Sequence, residues 1–464
     1  MSLKVAIVGS GISGLAAAHA LSGSAQVTLL EAGNYYGGHT HTVDVSLPTP
    51  QGMVTHGVDT GFLVLNERTY PQLIRLLHEL DVPTARSEMS FSVQSNQHAG
   101  GAPLEWSGTS LGALFAQRAN LVNPQFWGML RDLLRFNALT TRIANSGTEA
   151  ELQQPLGAFL AEHQFGPAFC DWYFLPMMAC IWSCPTAQML EFPVATMVRF
   201  CHNHGLLQIT NRPQWWTVQG GAKHYVDKIV GRIADKRLNT PVRRVTPVCA
   251  HAGLHGAVDL TLDTGVERFD KVIIATHSDQ ALALLAQPSD LAQATLGAVR
   301  YQANTAVLHT DTSVLPQRKA AWAAWNYERA AGQDTGSSQV CLHYLLNRLQ
   351  PLPWRQPVIV SLNPVRPIDP AQVLGSYDYA HPVFDLPAVA AQAQMHRLQG
   401  QGQCYFAGAW MGYGFHEDGL KAGLAAASRL LADAGRKVNI PAPAYQNPSS
   451  TPSAEHRRLQ EARA

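Results

Sequence analysis

Three closely spaced glycines and one acid carry the first chemistry in this chain. The run Gly9-Ser10-Gly11-Ile12-Ser13-Gly14 follows a short apolar stretch, Val5-Ala-Ile-Val8, and precedes Leu15-Ala-Ala-Ala-His-Ala-Leu21, a good helix former. At such a strand-to-helix turn Gly9 permits the bend, Gly11 lets the backbone approach a pyrophosphate, and Gly14 lets the helix pack on the strand. The helix N-terminus then offers unpaired N–H groups to phosphates. Glu31, twenty residues after Gly11 and followed by Ala32, closes a second expected strand, Val27-Thr-Leu-Leu30, where a carboxylate accepts hydrogen bonds from ribose hydroxyls. The combination predicts a dinucleotide site. A second glycine pair, Gly37-Gly38, with His39 and Thr40 behind it, is close enough in sequence to fold back over the same ligand. Gly61-Phe62 ends an alternating Val58, Thr60, Phe62 pattern broken by glycines, as where backbone approaches a flat ligand.

The elements that must position these residues are embedded in an unusually apolar chain. At 464 residues and 46% hydrophobic it can build two or three domains around large cores. Charged residues are only 14%, against roughly 25% in ordinary soluble domains, so much of the chain is interior or faces something apolar. A net charge of +1 with no basic run argues against nucleic acid as partner. No uninterrupted apolar run of about eighteen residues predicts a membrane span, and the apolar N-terminus is already committed to the first strand. The expected compartment is the cytoplasm, with peripheral contact at the inner membrane face compatible with the composition. Seven cysteines at irregular spacing read as buried thiols, with no metal site expected.

Helical spacing predicts a helix over residues 71–80, and residues 126–139 form a strongly amphipathic one with Arg131 and Arg135 on its polar face. That helix either rests on lipid or packs in a second domain, and packing is the commoner use of such a stripe. Residues 165–210 concentrate aromatics and methionines, including Trp172, Tyr173, Met177, Trp182 and Phe200. Most must be core, while a minority suits the lining of a wide pocket for a long apolar substrate. Strands are expected at 240–245, around 251–266, at 270–276 and at 301–309, then a last apolar strand, Cys404-Tyr-Phe-Ala-Gly408, running into Ala409 and a glycine-rich loop.

Taken together, GxGxxG, the acid, the glycine pair and the Gly57-Val-Asp-Thr-Gly61 element resemble the flavin-containing amine oxidase superfamily, which includes monoamine oxidases, protoporphyrinogen oxidases and carotenoid desaturases. The resemblance covers residues 3–435. Gly-Gly-His-Thr-His-Thr-Val43, Ile181-Trp-Ser-Cys-Pro185 and Gly412-Tyr-Gly-Phe-His-Glu-Asp-Gly419 look most like a bacterial branch of predicted NAD/FAD-binding proteins. Members of that branch often accompany cyclopropane-fatty-acid-synthase-like methyltransferases. The resemblance implies an α/β fold with a Rossmann-like FAD-binding domain of the GR2 type and an inserted α+β substrate domain. The cofactor domain would comprise residues 1–75, 216–286 and 396–436, the substrate domain 76–215 and 287–395, and residues 437–464 a disordered tail. It also implies FAD as cofactor, Val242 against the adenine, Gly408 and Ala409 near the ribityl or phosphate region, and a helix starting at Gly419 and Leu420 that points at the flavin pyrimidine. A positive helix end there stabilises negative charge on reduced flavin.

Three positions depart from the family pattern. His39 stands where an arginine usually meets the pyrophosphate, and Ala409 stands where an acid is usual. The lysine that positions water for flavin reoxidation in amine oxidases has no counterpart in Tyr301–Leu308, which argues against an amine oxidase specifically. The chemistry implied is hydride transfer from a substrate C–H bond to flavin. Tyr301, Tyr413, His416 and Glu417 are the candidate polar groups, with His416 and Glu417 either handling a proton or capping the helix. The sequence therefore points to an FAD-dependent oxidoreductase dehydrogenating an apolar, lipid-linked acyl substrate. Amine or polyene oxidation is the second expectation. A flavin-binding accessory protein of a fatty-acid-modifying methyltransferase is the third.

Overall fold

The computed structural model describes residues 2–95, 103–146, 148, 152–205, 213–248, 256–329, 339–438 and 440. Residues 441–464 of the expected tail, and His251 of the expected strand pair, lie outside the described residues. The fold is mixed α/β. A five-stranded parallel sheet takes the order Asp235–Arg237, Gln26–Leu30, Lys4–Val8, Lys271–Ile274, Cys404–Phe406. Numbered by sequence this is the 3-2-1-4-5 order of Rossmann-like sheets. Val5 to Ile7 are fully buried because helices cover one face and an antiparallel three-stranded layer the other, which is why the strand reads as an unbroken apolar run. That layer, Val242–Val248, Ala257–Leu262 and Gly265–Phe269, connects the outer strand back to the sheet.

Two helices grip the glycine turn. Ile12–Leu21 begins at its end, and the last helix, His416–Asp433, packs along it. Gly14 makes the local packing work: a methyl there would collide with the Gly9 carbonyl. The final helix starts at His416, three residues earlier than expected from sequence. The Asp418 carboxylate accepts N–H bonds from Tyr413 (3.2 Å) and Phe415 (3.1 Å), so an acid in the first turn fixes the start.

The second half of the molecule is built on a seven-stranded sheet in the order Val373–Val383, Arg300–His309, Ile359–Leu362, Cys341–Leu345, Trp325–Arg329, Phe91–Ser95, Leu104–Ser107. Only the Trp325–Arg329 pairing with Phe91–Ser95 is parallel. Helices Pro124–Ser146, Leu175–Trp182 and Val194–Asn203 join its core, with Phe126, Phe136, Phe159, Phe169, Phe174 and Phe192 almost wholly buried. The 126–139 stripe packs Phe126, Met129 and Phe136 inward, while Trp127 and Leu134 remain exposed. Among the described residues, no helix is long and apolar enough to cross a membrane.

Asp59 ties the two halves together. Its carboxylate accepts from Ala222 N (2.9 Å), from Gln350 Nε2 (2.6 Å) and from the Thr42 hydroxyl, and burial pushes its pKa up to about 6.

Candidate active site

A cavity of about 1060 Å³ runs from the glycine turn into the space beneath the seven-stranded sheet. Gly9 opens its cradle end with φ +96°, a left-handed conformation that favours glycine, and its N–H donates to Leu30 O (2.8 Å). The second glycine pair does fold back on the first: Gly37 N donates to Ser10 O (3.1 Å), and a methyl on Gly38 would stand 3.1 Å from Gly11 Cα. Glu31 accepts from Ser10 N (2.8 Å), Ser10 Oγ (2.6 Å) and Gly33 N (2.8 Å). A carboxylate offers about four acceptor positions, so Glu31 keeps one for a ribose hydroxyl. Gly11, Ile12, Ser13, Ala32, Gly61, Phe62, Val242, Gly408 and Ala409 also line the cavity.

His39 lines the cavity where the two glycine turns meet. Its ring centroid lies 5.1 Å from Tyr379, 5.2 Å from His381 and 6.1 Å from His277. Burial, together with the facing His381, His277 and His416 rings, holds its pKa well below the usual histidine value. Its buried Nε2 has no hydrogen-bond partner. His381 is pushed down to about 4 for the same reason, and its Nδ1 lies 2.9 Å from the Asn304 amide. Tyr379 and His381 were outside the sequence expectation. Alternation in Tyr377-Asp378-Tyr379-Ala380-His381 places three rings on one strand face, and that period is the signal that could have found them.

His416 and Glu417 do not share the role expected of them. His416 lines the cavity through a ring stacked on Phe62 (centroids 3.9 Å, 12°). Its Nε2 meets Tyr225 Oη at 2.7 Å and Thr40 Oγ1 at 3.1 Å, and those two oxygens are 2.5 Å apart. Burial pushes the His416 pKa down to about 3, so the ring is neutral and fixed: it is a positioning residue. Thr40 accordingly holds His416 from below and does not line the cavity. The Glu417 carboxylate is also turned away from the cavity. It accepts from Gln72 N (3.0 Å) and Leu73 N (2.9 Å), capping the Pro71–Glu79 helix, with Lys421 Nζ at 3.5 Å and a pKa raised by burial to about 7.

Tyr413 does not line the cavity either, and its carbonyl accepts from Trp182 Nε1 (3.1 Å). Tyr301 does line it, on the cradle side, but its hydroxyl accepts from Ser278 N (2.8 Å) and its ring stacks on His277 (4.4 Å). Gly14, Gly419 and Leu420 also stand behind the cavity wall. Because the helix starts early, Gly419 N already donates to Phe415 O (3.0 Å), a methyl there would meet Ile12 Cγ2 at 2.7 Å, and Leu420 is core. These two residues pack helix on helix and do not present N–H groups to a ligand.

The far end of the cavity is aromatic. Trp106, Tyr173, Phe200, Trp215, Trp325, Tyr344 and Phe415 line it with Met89, Met177 and Ile181, and Phe200 stacks on Phe415 (4.8 Å). Of the aromatic and methionine cluster at 165–210, Tyr173, Met177 and Phe200 reach the lining, whereas Phe174, Met178, Met189 and Phe192 are core. Tyr173 sits on a π-helical turn, Cys170–Phe174, a local widening common at functional sites. Among the described residues, no lysine or arginine lines any part of the cavity.

A glycine-built cradle with one free acceptor position on Glu31, an unpartnered buried imidazole nitrogen beside it and a large flat-walled cavity fits a flavin dinucleotide. Residues 12–431 match the family model described as flavin containing amine oxidoreductase. The chain belongs to that family. Membership makes it an oxidoreductase and implies FAD as its cofactor. No curated protein matches the chain. Among solved structures it is similar to cyclohexylamine oxidase from Brevibacterium oxydans, with 17% identity and a TM-score of 0.61 over 94% of this chain and 100% of that one. A putrescine oxidase bound to putrescine has 15% identity and a TM-score of 0.62, covering 93% and 99%. A CLA-producing fatty acid isomerase from P. acnes has 14% identity and a TM-score of 0.61, covering 91% and 97%. At these identities the likeness establishes the fold.

Proposed function

We propose that the chain oxidises a small organic molecule with an apolar body and no free carboxylate, an amine or a polyene, inside the aromatic end of the cavity. Bound in the cradle, FAD supplies a two-electron acceptor for a hydride from the substrate. The observation that carries this is a single cavity joining the glycine cradle to an aromatic compartment that contains no lysine or arginine among its described lining. A free carboxylate carried into that compartment would meet no cationic partner, and an unpaired buried charge is strongly disfavoured. Aromatic faces accept an amine as readily as a hydrocarbon, whereas the Glu88 carboxylate at the lining is already paired with Arg348 (2.7 Å). The fixed His416 and Phe62 pair shapes the wall without supplying a proton. The amine-oxidising names of two structural relatives support the amine reading.

Fatty-acyl dehydrogenation is the second reading, favoured by the aromatic and methionine wall and by the likeness to a fatty acid isomerase. It requires the acyl group to arrive as an ester or lipid conjugate, since a free acid has no partner here. Anaerobic mixing of holoprotein with cyclic amines, polyenes, acyl esters and free fatty acids tests both readings. Bleaching of the flavin by amines or polyenes supports the first, bleaching only by acyl esters replaces it with the second, and bleaching by free fatty acids overturns both. The lysine missing from the lining bears on the electron acceptor, so reoxidation by oxygen is expected to be slow.

We assign cofactor binding to residues 1–75, 216–286 and 396–436, of GR2 type, and substrate binding to 76–215 and 287–395. Partnership with a fatty-acid-modifying methyltransferase is supported by the branch resemblance alone, and copurification from cells tests it.

A further inference from the structure

Exposed apolar side chains are unevenly spread over this molecule. Of the twelve large ones exposed among the described residues, five fall between residues 111 and 134: Leu111 (78%), Leu121 (50%), Val122 (83%), Trp127 (50%) and Leu134 (56%). They form one face. Phe115, four residues after Leu111, packs its ring on Trp127 (5.6 Å), and Trp127 Nε1 donates to Leu121 O (2.9 Å). Trp127, Arg131 and Leu134 follow at helical steps along the Pro124–Ser146 helix. Single exposed apolar residues are ordinary, but a connected patch on a soluble chain marks a contact surface.

The charges around the face name its partner. In the described residues 103–146 every exposed charged side chain is an arginine: Arg118, Arg131, Arg135 and Arg142. The two acids of this stretch, Glu105 and Asp132, are buried, Glu105 on Arg318 (2.8 Å) and Asp132 on Arg135 (3.0 Å). The whole chain carries a net charge of only +1, so this concentration of positive groups is local. An apolar face with an interfacial tryptophan and an arginine border matches an anionic bilayer surface, where rings sit at headgroup level and arginines meet lipid phosphates. A second copy of the chain fits less well, because a two-fold contact would set the same arginines against themselves.

We propose that the 111–134 face docks on the surface of an anionic lipid bilayer. With no membrane-crossing helix among the described residues, the attachment is superficial and reversible. The face and the cavity share a wall. Gly108 and Thr109 line the cavity, and Ser110 caps the Leu111–Leu114 helix by accepting from Ala113 N (3.1 Å), so docking brings the cavity wall beside the lipid.

The test is sedimentation of the holoprotein with vesicles of pure phosphatidylcholine and with vesicles of two parts phosphatidylcholine to one part phosphatidylglycerol. Binding is expected to the mixed vesicles and to be far weaker to the pure ones. V122E and W127E are expected to abolish it, and V122E, at an 83%-exposed position, to leave flavin content and melting temperature unchanged. Neutralising Arg118 and Arg131 to Gln should weaken binding about fivefold for each charge removed. Three results would overturn the proposal: no sedimentation with either vesicle, equal sedimentation of the variants and the unaltered chain, or concentration-dependent self-association that V122E removes in the absence of vesicle binding.

Discussion

The two ends of the cavity are built on different principles. The cradle is made of backbone: Gly9, Gly11, Gly37 and Gly38 lie within thirty residues of one another and meet through main-chain contacts. The aromatic end is made of side chains delivered from residues as far apart as Met89, Phe200, Tyr344 and Phe415. A methyl added at Gly9 meets a backbone oxygen at 2.9 Å and one added at Gly37 meets a backbone oxygen closer still, so most of this main-chain surface tolerates no added atom. One built from many packed rings loses a partner gradually, because each ring contributes only its share of contact.

The largest effect should therefore come from the cradle. G14V places a branched side chain against the Gly9 carbonyl, and overpacking of this kind costs about 3 kcal/mol or more. The purified variant is expected to lack flavin absorbance and to melt well below the unaltered chain. Retention of flavin at full occupancy would show that the cradle is softer than its contacts indicate.

On the aromatic side, F415A removes a ring stacked on Phe200, and burial of such a side chain is worth about 1.5–3 kcal/mol. Flavin content should stay normal while KM for the bleaching substrate rises by about tenfold or more. Loss of flavin in F415A would mean that the two ends are one mechanical unit.

The histidine cluster gives the cradle a pH dependence that an arginine would not. His39 is held neutral by burial and by His381, His277 and His416, with Tyr379 packed on it, Tyr301 stacked on His277 and Asp279 acting on His277 in the opposite sense. A diphosphate held against His39, as the family resemblance implies, would favour the protonated ring and raise its pKa. Affinity for FAD should consequently be highest at acid pH and fall as pH rises through the bound-state value, about tenfold for each unit by which binding raises that pKa. The sign for the apoprotein is opposite: folded-state values depressed below the unfolded value of about 6.5 give stability that is present above it and lost as pH falls. H39R should flatten the affinity profile, measured by flavin fluorescence titration.

The smallest effect belongs to Glu417. E417Q leaves one acceptor for two helix N–H groups and should lower stability by about 1–2 kcal/mol with flavin content and KM unchanged. Because the folded-state pKa of Glu417 is raised to about 7, its protonated form stabilises below the unfolded value near 4.3, and that contribution is lost as pH rises through 7. The margin of the unaltered chain over E417Q should narrow over that range in chemical denaturation.

What the sequence determined by itself is the part of the molecule governed by short-range geometry. Gly9 through Gly14, Glu31 and the Gly37-Gly38 pair could be placed because a phosphate-binding turn has few backbone solutions and a fixed spacing. Four of the five parallel strands were legible from their apolar runs for a similar reason, and the charged edge strand Asp235–Arg237 was not. Side-chain direction was not legible. Whether His416 and Glu417 face the cavity depends on where the helix begins, and that depends on Asp418 catching two N–H groups of the preceding loop. Gly419 and Leu420 went behind the wall by the same early start, Thr40 went behind it by bonding Tyr225 and His416, and His39, Tyr379 and His381 meet where the Val373–Val383 strand passes the glycine turns. Pairings between residues hundreds of positions apart are fixed by the packing of whole layers, which no local spacing encodes.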